Sequence, residues 1–334
     1  MSPQTRSKTT ATSSSVFRLR SSAEPPVYRV DLSLPPGQRY TQICTDLKPE
    51  LACLRTLGDE IIYLITPFPK LLNFFAPRIL RRLLSREQHK EIIGISKASG
   101  IPIHVLVAFN TLLDLFCACT SGGVRFTFRT LDWEMDPLRR LTICVEYVRE
   151  GRVIARALTY AGHVGVLTGV RTGLSISLEL PLPYYWHLFS VIRGRRPSIT
   201  SRLRDILLSS QLVPSLEDLA ATTVMVVEKD FKTLTKRVSD EFLVATNHDV
   251  EMEHWSDDNW KEADALREMF VESSGRMQCV MRLWGSRSGE APRVEDVVQE
   301  VEAEPMYSDE LTHYSCVMDP SVEGGGILWA KVYE

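Results

Sequence analysis

The strongest constraint on how this chain folds is a change of texture at Cys119. Ahead of it, from residue 39 to residue 115, apolar residues recur three and four apart, in 47–64, in 79–84 and in 92–95. That is the period of amphipathic helices, with Pro67, Pro69, Pro77 and the run Gly100-Ile101-Pro102 as breakers. Behind Cys119 come short β-branched and aromatic runs at 125–131, 141–148, 153–159 and 174–178, separated by turn residues, as in an antiparallel sheet. Residues 185–192 and 201–212 read as helical, a short helix follows at 215–221, and strands return at 224–227, 241–246, 314–318 and 326–332. Helices, strands, helices and strands again predict an α+β fold, a four-layer αββα sandwich preceded by a helical segment. With 334 residues, 44% hydrophobic and 24% charged, the chain is long enough to fill such a core.

Chemistry-bearing residues gather where the texture changes. Cys119-Thr120-Ser121 is followed by Arg129-Thr130-Leu131-Asp132, and Gly122-Gly123 lies just before the midpoint between Cys119 and Arg129. A hairpin turning there folds Arg129 and Asp132 back beside Cys119. A thiol becomes a hydrolytic nucleophile only when one group takes its proton and others hold the pair in place. Taken alone, the same residues also describe a buried structural cysteine near a solvated ion pair.

Five pieces lie in a fixed order. They are the run from Pro26-Val27-Tyr28-Arg29-Val30 to Pro35-Pro36, the two motifs above, the Gly-rich run Tyr160-Ala161-Gly162-His163-Val164-Gly165, and Thr246-Asn247-His248-Asp249. In that order they resemble the acid ceramidase and N-acylethanolamine acid amidase family of N-terminal-nucleophile hydrolases. The resemblance implies that the Cys119 thiol attacks the carbonyl of Ala118 and that cleavage leaves Cys119 as a new N-terminus. Its α-amine, with an ordinary pKa near 8, then serves as base for its own thiol. By the same resemblance Asp132 holds the α-amine, Arg129 stabilises developing negative charge, and Asn247 donates its amide to the oxyanion. Arg276, in Ser273-Ser274-Gly275-Arg276, answers to a later active-site arginine, with Arg267 as its competitor. His163 reads as a packed or surface histidine, and Cys117 as structural.

The implied activity is hydrolysis of the amide of an N-acylated lipid, ceramide first and an N-acylethanolamine second, with no metal or organic cofactor. A catalytically silent lipid-binding relative is the alternative of another class. Residues 71–84, with Leu71, Phe74, Phe75, Ile79 and Leu84 beside Arg78, Arg81 and Arg82, read equally as an amphipathic basic segment on an anionic lipid surface or as a core-facing helix. Three departures from the family stand out. Ala118 replaces a bulky or β-branched residue, the segment from Cys119 to Arg129 is short, and a strand with a Gly-rich turn is missing between 220 and 247. With that strand missing, 224–227 pairs directly with 241–246 through a polar turn around 231–237, and the acyl pocket is more open.

The remaining features set boundaries. The sequence divides into a polar tail at 1–25, a helical segment at 26–118 and the nucleophile-bearing part at 119–334. The Ser/Thr-rich start lacks the apolar stretch of a secretory signal, so the expected compartment is the cytoplasm, with a lysosome or vacuole as the alternative from the family and a transit peptide also compatible. A net charge of −3 offers no footprint for nucleic acid, and seven irregularly spaced cysteines fit neither a zinc site nor a dense disulfide framework. Oligomeric state is not encoded in any of these patterns.

Overall fold

The computed structural model describes residues 24–57, 75–112, 118–123, 126–178, 190–191, 193, 195–209, 223–227, 233–237, 242–248, 250–256, 259–260, 264–286 and 292–333. The expected polar tail before residue 24 and the proposed helix at 215–221 lie outside them, as does Cys117.

Two five-stranded sheets form the centre. The first runs β1-β4-β5-β6-β7, built from β1 (Val27–Asp31), β4 (Thr142–Arg149), β5 (Arg152–Tyr160), β6 (Thr168–Arg171) and β7 (Leu174–Ser177). The second runs β10-β2-β3-β11-β12, built from β2 (Ala118–Gly123), β3 (Thr127–Asp132), β10 (Leu243–Ala245), β11 (Thr312–Asp319) and β12 (Gly326–Val332). Every pairing is antiparallel except that of β1 with β4, so the segment ahead of Cys119 supplies a parallel edge strand to the first sheet.

Side-chain alternation sorts the two faces of the second sheet. Leu131, Tyr314, Cys316, Met318 and Ala330 join Val145, Tyr147, Ala155 and Ala157 of the first sheet in one buried core. Phe128, Val317 and Trp329, which alternate with them, pack outward against Val280 of helix α6 (Asp264–Gly285) and Val297, Val298 and Val301 of α7 (Val294–Val301). Each buried valine contributes roughly 1.5–3 kcal/mol by leaving water. Helix α5 (Ile199–Leu208) covers the first sheet, touching β5, β6 and β7. The expected α+β layering of helix, sheet, sheet and helix is therefore present.

Ahead of Cys119 stand α1 (Thr41–Asp46), α2 (Lys48–Leu51), α3 (Arg86–Ser99) and α4 (Ile103–Leu112). Helix α3 starts on the Ser85 hydroxyl, which accepts from the Gln88 N–H, and stops at Gly100 in the left-handed region at φ 78°. These are the punctuation marks visible in the sequence.

The segment before Asn247 corrects the sequence reading. Residues 224–227 do not pair with 241–246. Strand β8 (Thr223–Val227) pairs instead with β9 (Thr233–Arg237) in a separate two-stranded sheet, and β10 pairs with β2. The stretch read as a polar turn contains a strand, because ladder hydrogen bonds join backbones and a polar sequence with two threonines satisfies them. Gly122 and Gly123 likewise belong to β2 rather than to a turn; Gly123, at φ 152°, lies so near the Phe126 carbonyl that a Cβ would sit 2.0 Å from that oxygen. Among the described residues no helix is long and apolar enough to cross a membrane, and no group of three or more metal-ligating side chains is assembled.

Candidate active site

Strand register assembles this site. The β2–β3 ladder sets Cys119 opposite Leu131 and Ser121 opposite Arg129, so Arg129 lies on the same sheet face as Cys119, two residues along. From there Arg129 Nη2 donates to Cys119 Sγ at 2.8 Å, with both side chains fully buried. A guanidinium aimed at sulfur favours the thiolate. Burial pushes Cys44 and Cys316 up to about 12, although Arg129 pulls Cys316 the other way.

On the other edge of β2, Ser121 pairs with Ala245 of β10. Continuing that antiparallel register by two residues puts Asn247 opposite Cys119, and there the side chain replaces the main chain. Asn247 Oδ1 accepts from the Cys119 N–H at 2.5 Å and from Arg276 Nη2 at 3.0 Å. Both partners are obligate donors, which fixes the amide with its oxygen inward. Arg276 Nε also donates to Thr120 Oγ1 at 3.1 Å. Arg276, not Arg267, is thus the arginine that α6 brings to the site; Arg267 is exposed on the same helix.

Asp132 is paired with Ala118, directly across from the residue whose carbonyl precedes the Cys119 nitrogen. Its Oδ1 accepts from Thr312 Oγ1 at 2.7 Å. Burial raises its carboxyl above the ordinary range, and the Thr312 hydroxyl and the nearby Arg276, Arg129 and Arg139 pull the other way. The structure therefore brings all five sequence-selected residues, Cys119, Arg129, Asp132, Asn247 and Arg276, to one end of β2. His163 is not among them. It is packed against Phe109, takes Thr159 Oγ1 at Nδ1, and is pushed down to about 3 by burial.

Sequence reasoning missed the support around Asn247. His248, buried, has Nδ1 at 2.8 Å from Ser273 Oγ and 3.1 Å from Thr246 Oγ1, while Nε2 lies 3.2 Å from Glu253 Oε1. The available signal was the spacing of Phe270, Ser273 and Arg276, which places all three on one face of a helix that was itself not anticipated.

Comparison with known proteins agrees with the resemblance. A family profile described as the beta subunit of N-acylethanolamine-hydrolyzing acid amidase matches residues 23–84. The chain is 33% identical over 174 residues to the N-acylethanolamine-hydrolyzing acid amidase of Caenorhabditis elegans, an alignment covering 47% of this chain and 48% of that protein. It is 27% identical over 177 residues to the acid ceramidase of Rattus norvegicus, covering 46% and 45%. A solved structure of the Caenorhabditis elegans N-acylethanolamine-hydrolyzing acid amidase ortholog superposes with a TM-score of 0.46 at 22% identity, over 61% of this chain and 94% of that one. The chain spans about half the length of the curated relatives it matches. In its ordered motifs and in these sequence matches, the chain is similar to the acid ceramidases and N-acylethanolamine acid amidases over about half of their length.

Proposed function

We propose that this chain is the precursor of an N-terminal-nucleophile amidohydrolase acting on N-acylated lipids. The observation that carries the reading is the dual grip on Cys119, whose sulfur is held by Arg129 at 2.8 Å and whose nitrogen is held by Asn247 at 2.5 Å. A structural cysteine needs neither.

In the intact chain Cys119 has no exposed surface, so a substrate cannot reach its sulfur in this form. The thiolate would attack the Ala118 carbonyl, the C–N bond would break with a proton passing to the Cys119 nitrogen, and a thioester between Ala118 and Sγ would form. Water then releases the Ala118 carboxylate and leaves Cys119 with a free α-amine beside Asp132. In turnover that amine takes the thiol proton and Sγ attacks the acyl carbon. The oxyanion is met by the Asn247 amide and Arg129, and the departing amine receives the proton back. Hydrolysis of the acyl-thioester completes the cycle.

Ceramide is the substrate of our first reading. An N-acylethanolamine is the second, and the 33% identity to the nematode amidase favours it. Phe75, Ile79 and Leu84 are exposed beside the exposed Arg78, Arg81 and Arg82, a pattern suited to drawing such lipids from an anionic membrane or micelle. The rest of that amphipathic reading, 71–74, lies outside the described residues.

The test is a denaturing gel with N-terminal sequencing, followed by fatty-acid release from ceramide and N-acylethanolamine. Expected are two fragments of about 118 and 216 residues, the second beginning at Cys119, and loss of both cleavage and turnover in Cys119→Ala. An active protein whose chain stays intact sinks the mechanism, and an intact chain without turnover leaves the silent relative as the better reading.

A further inference from the structure

Asn247 and Arg276 come from different elements, yet Asn247 must meet the Cys119 N–H while Arg276 meets Asn247 and the neighbouring Thr120. Strand β10 packs against α6, with the preceding Phe242 stacked on Trp284. Asn247 follows the three-residue edge strand β10, and Arg276 lies midway along α6. The hydrogen bond from Arg276 Nη2 to Asn247 Oδ1 reports their alignment, but two side chains at the tips of separate elements need something behind them to hold it.

His248 sits where such a support is needed. It follows Asn247 directly, and its ring is buried against α6. Nδ1 meets Ser273 Oγ at 2.8 Å, Ser273 itself is fully buried, and the ring packs edge-to-face on Phe270 at 5.1 Å. Phe270, Ser273 and Arg276 are successive i, i+3 positions, so the surface that clasps His248 continues directly into the guanidinium that clasps Asn247. Glu253 can only accept when ionised, which puts the ring proton on Nε2 and leaves Nδ1 to accept from the Ser273 hydroxyl. Thr246 Oγ1, at 3.1 Å from the same Nδ1, closes the turn on its other side.

We propose that His248 is a positioning residue that holds the Asn247 amide against Cys119 and the Arg276 guanidinium against Asn247 by bridging the turn after β10 to helix α6. It rests on the amidohydrolase reading for its consequence in turnover. Its structural content can be tested without that reading.

Three variants of the full chain, His248→Ala, His248→Asn and Ser273→Ala, distinguish the outcomes. Asn keeps an acceptor near the Nδ1 position. The first measurement, made in the Cys119→Ala background that stays uncleaved, is amide hydrogen exchange at position 119, whose N–H is held by Asn247. His248→Ala and Ser273→Ala should speed exchange there about 10-fold or more, without change in the amides of β5, and His248→Asn should restore protection. In the mature form, His248→Ala should lower kcat for fatty-acid release about 30-fold with KM within about 3-fold. Alkylation of Cys119 by iodoacetamide forms no oxyanion and should stay within about 2-fold. Unchanged exchange at 119, or faster exchange spread equally into β5, overturns the proposal. If the wild-type chain has no turnover while position 119 still responds, the amidohydrolase reading fails and the positioning role stands.

Discussion

At Asp132 one side chain carries two opposed demands. Burial raises its carboxyl in the uncleaved chain, so the neutral form is favoured by folding. A folded value above the unfolded one means that its contribution to stability is present at low pH and is lost as pH rises through the folded value. Asp132→Asn in the Cys119→Ala background should therefore unfold no earlier than its parent at pH 7, since the amide keeps an acceptor for the Thr312 hydroxyl. Under the proposed mechanism the same change removes the counter-charge of the new α-amine after cleavage, and turnover should fall about 100-fold. Thermal denaturation and fatty-acid release check the pair, and a lower midpoint with proportionate loss of activity would return Asp132 to a purely structural role. Cys119, Arg129 and Asp132 were legible as a pair of short motifs, and Asn247 came from a third motif through the family resemblance. Arg276 needed the helix to choose it over Arg267, since both are arginines of one amphipathic segment and only the rotation about its axis separates them.

Among the elements, the joint between the parts before and after Cys119 is the most heavily built. Strand β1 pairs with β4 over five residues. Asn110 of α4 donates to the Gly162 carbonyl at 2.9 Å and accepts from the Val164 N–H at 2.7 Å. Glu91 of α3, fully buried, receives Arg204 Nη2 of α5 at 2.7 Å and Arg39 Nη1 at 2.8 Å. Glu91→Ala leaves Arg204 buried without its carboxylate, while Arg39 keeps Glu87, and should cost about 3–5 kcal/mol, read as a shift in the urea midpoint. Chain cleaved before Cys119 should elute as one particle in size exclusion and separate only in denaturant, because these contacts are not covalent; early separation would mean that the joint depends on the peptide bond. The helices around Glu91 were readable from period and caps. Helix α7, strand β6 and the β8–β9 pair were not, since short elements with mixed faces are selected by what they pack against.

For the whole molecule, two buried histidines set the response to acid. Burial holds His163 down at about 3 and His313 at about 4. Both are neutral when folded and take protons on unfolding, so their contribution is complete above about pH 6.5 and is lost as pH falls toward those values. Together they give a slope of up to about 2.7 kcal/mol per pH unit between about pH 6 and 4, and His313→Gln should halve it in urea melts across that range. An unchanged slope would mean that these rings are solvated. The sequence by itself determined the two textures, the α+β class and the residues able to do thiol chemistry, because periodicity and residue type are properties of neighbours along the chain. Tertiary structure alone decided that Asn247 continues a ladder onto the Cys119 nitrogen, that Arg276 faces it, and that 224–227 pairs with 233–237 rather than with 241–246. Strand partners far apart in sequence are chosen by registry and burial across the whole core, which no local pattern encodes.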